Sequence, residues 1–184
     1  MPFEVRHVDK AWKRQDASLA GYRQILLKPV SVAFSKTWDP RDYGGVHGLR
    51  SHEVEKIRSS LGKLAEDTFR KTLQRGGYPS ATAPGEDVLE VEAQIVDLYV
   101  NAPDVPTSEI RRSFVLSAGE MRLLVNLRDS VTGTLLYSVS DRKRDPDSQQ
   151  LEWASSVWNR GQAELALTGW AKQLQRALDD ARQP

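Results

Sequence analysis

The sequence predicts an α+β fold in which one mixed or antiparallel sheet of about four strands carries two long amphipathic helices on one face. Three observations lead there. Apolar residues recur every three or four positions in two long segments, and they alternate in four others. A turn of hairpin length joins the last two alternating segments. An element with only one apolar side needs a second layer, and helices laid on one face of a sheet satisfy both.

Residues 1–22 are polar with scattered large apolars and read as an arm or short strand lying against the domain. The domain proper is expected over residues 23–184. Its first strand runs through Gln24–Phe34, where Val30, Val32 and Phe34 alternate with small residues. Pro29 cannot donate to a ladder, which places this strand at an edge or bulges it there. Asp39–Pro40 and the glycines Gly44, Gly45 and Gly48 mark a loop. Ser51 is the expected N-cap of the first helix, with Glu53 and Glu55 in its first turn. Val54, Ile57, Leu61, Phe69 and Leu73 form the stripe, and Gly76–Gly77 ends it.

The second strand alternates Leu89, Val91, Ala93 and Ile95 against Glu90, Glu92 and Gln94. Val96, Leu98 and Val100 then fall out of phase, the mark of a bulge or of an end buried on both faces. Met121, Leu123, Val125 and Leu127 give a third strand, and Leu135, Tyr137 and Val139 a fourth. Asp129–Gly133 is the turn between them. Arg142–Gln150 reads as a solvated loop. Ala163, Leu167, Trp170, Leu174, Leu178 and Ala181 make the second helix, whose Gly161 and Gly169 mark a close approach or a weak point. The order is strand–helix–strand–strand–strand–helix.

A chain of 184 residues fits one domain. Its 26 Lys and Arg balance 25 Asp and Glu, without the basic excess of a nucleic-acid domain. It has no cysteine, which excludes disulfides, thiol nucleophiles and cysteine-ligated metals. His47 and His52 are five apart and lack metal-ligand spacing, so no metal or cofactor is expected. Gly44–Gly48 lacks the lysine of a phosphate loop. Glu90 with Glu92, and Asp179 with Asp180, read as the solvated sides of a strand and a helix. No catalytic residue is assigned. The five tryptophans stand out. Trp170 lies on the helix stripe. Trp12, Trp38, Trp153 and Trp158 lie near element ends or in loops, where a tryptophan either plugs the core rim or anchors a partner. The candidate protein-interaction residues are Trp38 and Tyr43 in the loop after the first strand, with Trp153 and Trp158 before the last helix. On that reading Trp38→Ala leaves the melting temperature nearly unchanged.

Four segments together resemble one family. Tyr22–Arg23–Gln24–Ile25–Leu26–Leu27–Lys28–Pro29–Val30 is similar to its opening strand, Tyr-x-x-hydrophobic-Leu-hydrophobic-x-Pro-Val. Asp87–Leu89 leading into Ile95–Asp97 resembles its second strand. Asp129–Ser130–Val131–Thr132–Gly133 through Asp141–Arg142 resembles its Asp-Ser-x-Thr-Gly…Asp-Arg hairpin. Trp170–Ala171 through Leu178–Asp179 resembles its closing helix. The helix entry at Trp158–Gly161 and the strand start at Ala118–Glu120 depart from the pattern. The family is domain of unknown function 3313, found in Gram-negative lipoproteins, and the resemblance spans roughly residues 5–182. It implies a periplasmic domain held at the outer membrane by a lipid on a cysteine that lies upstream of Met1. The family defines no catalytic residues. The expected function is therefore a non-enzymatic interaction domain that binds another envelope protein and touches the membrane only through that lipid. The alternatives are an inhibitor or immunity protein against a toxin or wall hydrolase, and a small-molecule sensor or enzyme.

Overall fold

Six strands and two helices run in the order β1 (Lys10–Lys13), β2 (Gln24–Leu27), β3 (Ser31–Phe34), α1 (Ser51–Arg75), β4 (Val88–Asn101), β5 (Ser117–Asp129), β6 (Leu135–Arg144) and α2 (Ser156–Arg182), with a 3-10 turn at Pro40–Asp42. The computed structural model describes residues 1–2, 8–42, 48–101, 117–144 and 156–182. One mixed sheet is ordered β1-β6-β5-β4-β2, with β3 also beside β4. The α+β class and the mixed sheet are as the sequence predicts. The sheet has six strands, however, not about four.

Two local causes account for the extra strands. The first is Pro29, which breaks the expected strand into β2 and β3. The Lys28 N–H still bonds Val91 O at 2.9 Å, but the Val30 N–H turns away to Glu66 Oε1, also at 2.9 Å. Both fragments resume parallel pairing with β4, Ile25 opposite Leu89 and Val32 opposite Ile95. The second is β1, which pairs antiparallel with β6. Its four residues lie in the stretch expected as an arm or short strand, and the short strand is what forms. Likewise β6 runs on to Arg144, where a loop was expected from Arg142.

β4 is the central strand. Leu89, Val91, Ala93 and Ile95 are buried under the helices. At Asp97 the backbone takes φ +53° and the register with β5 shifts between Val96 and Tyr99. This bulge is the expected phase break, and it returns Leu98 and Val100 to the buried side.

Parallel pairing of β3 with β4 requires a long crossover, and α1 supplies it. Its start sits one residue before the expected cap. Arg50 is the N-cap, and its N–H donates to Glu53 Oε2 at 2.9 Å. Its end is a Schellman motif. Gly77 has φ +84°, the Gly77 N–H bonds Gln74 O at 3.1 Å, and the Tyr78 N–H bonds Leu73 O at 2.9 Å. Ile57, Leu61, Ala65, Phe69 and Leu73 face the core. On α2, Ala163, Leu167, Trp170, Ala171 and Leu178 do the same. The helices also pack on each other, with Gly76 against the Gln175 side chain.

Two glycines give opposite expectations. A Cβ on Gly62 would lie 2.9 Å from Val30 O, whereas one on Gly169 meets nothing within 4 Å. Gly169→Ala is therefore expected to raise unfolding stability by up to about 1 kcal/mol. Gly62→Val forces α1 off β3 and is expected to lower it by about 1–3 kcal/mol. Urea titration of both variants checks the contrast.

Candidate interaction surface

With α1 and α2 on one side, the other side of the sheet is left open among the described residues. The ladder registers fix what it displays. Glu90, Glu92, Gln94 and Val96 of β4 lie beside Arg128, Asn126, Leu124 and Arg122 of β5. Those β5 residues continue into Leu135, Ser138, Ser140 and Arg142 of β6, and Trp12 lies beside Ser138 on β1. Val96 and Leu124 are half-buried in the middle, and Trp12 is 38% exposed at the margin.

The charges on this face are paired across strands. Lys28 meets Glu90 at 3.1 Å, Arg122 meets Asp97 at 3.5 Å, Arg128 meets Glu92 at 3.8 Å and Arg142 meets Glu120 at 3.1 Å. Asn126 also donates to Glu92 Oε2 at 3.3 Å. Each pair is partly exposed, so its worth to the fold is small, about 1 kcal/mol or less. Glu90 and Glu92 thus sit among counter-ions and not as an isolated acid–base couple. A second feature is an open groove of about 540 Å3 between α1 and the β3 edge, lined by Ser31, Val32, Arg58, Lys63, Glu66 and Arg70 among others. Among the described residues no three His, Asp or Glu side chains gather as metal ligands.

The polar groups on the helix side clamp the fold. The buried Asp141 carboxylate accepts the Trp170 indole N–H at 2.6 Å and pairs with Lys143 Nζ at 2.9 Å, joining β6 to α2. Tyr78 is fully buried and donates to Asp179 Oδ1 at 2.7 Å, with the Arg182 guanidinium 4.1 Å above its ring. Asp179 is thereby tied into the fold, unlike its exposed neighbour Asp180. Tyr22 donates to Asp129 Oδ2 at 2.8 Å, and Arg182 bonds Tyr22 O at 3.0 Å. Burial, and then the adjoining carboxylate, push the Tyr22 hydroxyl up to about 12, and burial with Asp179 does the same for Tyr78. Asp129 is held below the usual carboxylate range by the Thr132 N–H and hydroxyl and by Tyr22.

Of the four aromatic candidates, Trp38 has a described side chain. Trp38 is buried, its ring stacked on Phe34 at 4.2 Å and its indole N–H bonded to Val100 O at 2.9 Å. It fastens the loop after β3 to the end of β4. Trp158 falls inside α2 and not before it. Tyr43 and Trp153 lie outside the described residues. The open face escaped sequence reading because its charges look like any solvated strand side. Only the positions of the two helices show that no described element covers it.

The family described as "Protein of unknown function (DUF3313)" matches residues 4–174. The chain belongs to this family. No curated protein matches it. Similar solved structures include a protein from Xanthomonas campestris of family DUF330, at 13% identity over 94% of this chain and 89% of that one, with a TM-score of 0.46. Another is the PelC dodecamer from Paraburkholderia phytofirmans, at 15% identity over 91% and 96%, with a TM-score of 0.43. A minor lipoprotein from Acinetobacter baumannii is 12% identical over 89% and 97%, with a TM-score of 0.37. No helix among the described residues is long and apolar enough to cross a membrane.

The burial of Trp38 reverses the expected outcome of its truncation. Trp38→Ala should cost about 3–5 kcal/mol, read as a lower urea midpoint. The two tyrosines give a pH signature. Unfolded, each loses its proton near pH 10.0; folded, each keeps it to about 12. Their contribution is whole below pH 10 and is lost as pH rises toward 12. Tyr22→Phe and Tyr78→Phe should each flatten that alkaline fall in stability, measured by urea midpoints across the range.

Proposed function

We propose that the chain is a non-enzymatic interaction domain of a lipoprotein in the Gram-negative envelope, positioned on the periplasmic side of the outer membrane. The open face of the sheet is its docking surface. One observation carries the reading: a sheet with both long helices on the same side presents, among the described residues, a broad opposite face with cross-strand pairs around Val96 and Leu124. Side chains fixed by neighbours lose little conformational freedom when a partner covers them, and that favours binding. Family membership supports the envelope location.

A photo-reactive residue placed at Ser140, within the open face, should form a discrete adduct in intact cells. The same residue at Lys172, exposed on α2, should not. Adducts at Lys172 alone would overturn the choice of surface. Expression from the native gene with density-gradient fractionation should recover the protein with the outer membrane, and recovery from the cytosol would overturn the location.

A further inference from the structure

The charges on the open face are sorted by strand. The acids Glu90 and Glu92 stand on β4, with Asp97 at its bulge, while Arg122 and Arg128 stand on β5 and Arg142 on β6. Glu120 is the exception on β5, and it is engaged by Arg142 at 3.1 Å. We infer that the open face is self-complementary and that its partner is a second copy of this chain, related by a twofold axis running parallel to the strands between β4 and β5. The inference rests on the face being a docking surface, and it names the occupant.

The symmetry follows from the sorting. Rotation about that axis exchanges the strands sideways but keeps each residue's level along them. The acids of one β4 then lie over the arginines of the partner's β5. Glu92 and Arg128, 3.8 Å apart within one copy, become half of a square of alternating charge. Asp97 and Arg122, at 3.5 Å, become half of another. A twofold axis across the strands would instead stack β4 on β4 and bring acids near acids, which is unfavourable. The central side chains agree with the first choice. Leu124 and Val96 flank the axis, each meeting its own symmetry copy across it, and the small Ser138 and Ser140 allow close approach on β6.

The area is sufficient. Under this rotation four of the five strand positions overlap, and β1 with Trp12 remains at the rim. Strands spaced about 4.8 Å apart and ten residues long at about 3.4 Å each give on the order of 650 Å2 per partner. Specific interfaces need roughly 600–1,000 Å2 on each side.

Single charge reversals test this. Sedimentation equilibrium of the native chain should show a monomer–dimer equilibrium that weakens as salt rises. Arg128→Glu sets an acid opposite Glu90 and beside Glu92, and Glu92→Arg sets a base beside Arg128. Each variant should lose self-association by at least about tenfold while keeping its native circular dichroism and urea midpoint. Mixed together, the two should form a one-to-one heterodimer, since the retained Glu92 of one faces the retained Arg128 of the other and the two reversed side chains face each other. A native chain that stays monomeric at low salt up to about 200 μM overturns the inference, as does self-association unchanged in Arg128→Glu. If the native chain is monomeric while the Ser140 adduct persists, the docking surface stands and its partner is a different protein. Loss of that adduct together with persistence of the dimer would overturn the docking face itself.

Discussion

Parallel pairing of the β2–β3 edge with β4 is the constraint on which the rest of the architecture depends. A parallel neighbour cannot be reached by a tight turn, so α1 must run the length of the sheet before β4 begins. Gly62 against Val30 O, at Cβ distance 2.9 Å, shows how close that helix lies to the edge it has crossed. Once α1 occupies one face, the helix packing surface it offers draws α2 to the same side. Asp141 and Trp170 then lock α2 to β6. That no described element covers the opposite face is a consequence of this order in space. It is not a separate design feature.

Much of this was legible in the residues. The stripe from Ile57 to Leu73, the alternation at Leu89–Ile95 and the Asp129–Gly133 turn each express a local rule, and each appears where the pattern puts it. Even the bulge at Asp97 showed as a change of phase, because one extra residue shifts the later apolar positions from odd to even numbers while they stay on the buried face. What was not legible depended on partners distant in sequence. β1 is a strand only because β6 offers an open ladder, with Lys13 opposite Tyr137. β6 runs past Arg142 because the Asp141 side chain finds the Trp170 indole across the helix layer.

The candidate surface divides in the same way. A tryptophan in a loop has two readings, and the bond from Trp38 to Val100 O decides for the interior. Nothing within the sequence near Trp38 contains Val100, which is 62 positions away. The acids of β4 and the arginines of β5 were each visible as polar positions. Their sorting onto neighbouring strands became visible only with the register, which sets Glu92 opposite Asn126 and Glu90 opposite Arg128. Electrostatic meaning at a surface thus comes from adjacency across strands and not from composition, which is near neutral throughout.

The break at Pro29 has a consequence for solubility. A sheet margin with a long unpaired ladder invites uncontrolled growth by addition of strands from other molecules. Here that margin is cut into two pieces of four residues each. The β2 piece is shielded by the chain after α1, where the Ala81 N–H bonds Ile25 O at 2.8 Å. The β3 piece is too short to template a fibril. One imino acid, by interrupting four-residue runs that would otherwise join, protects the protein from the growth of its own sheet.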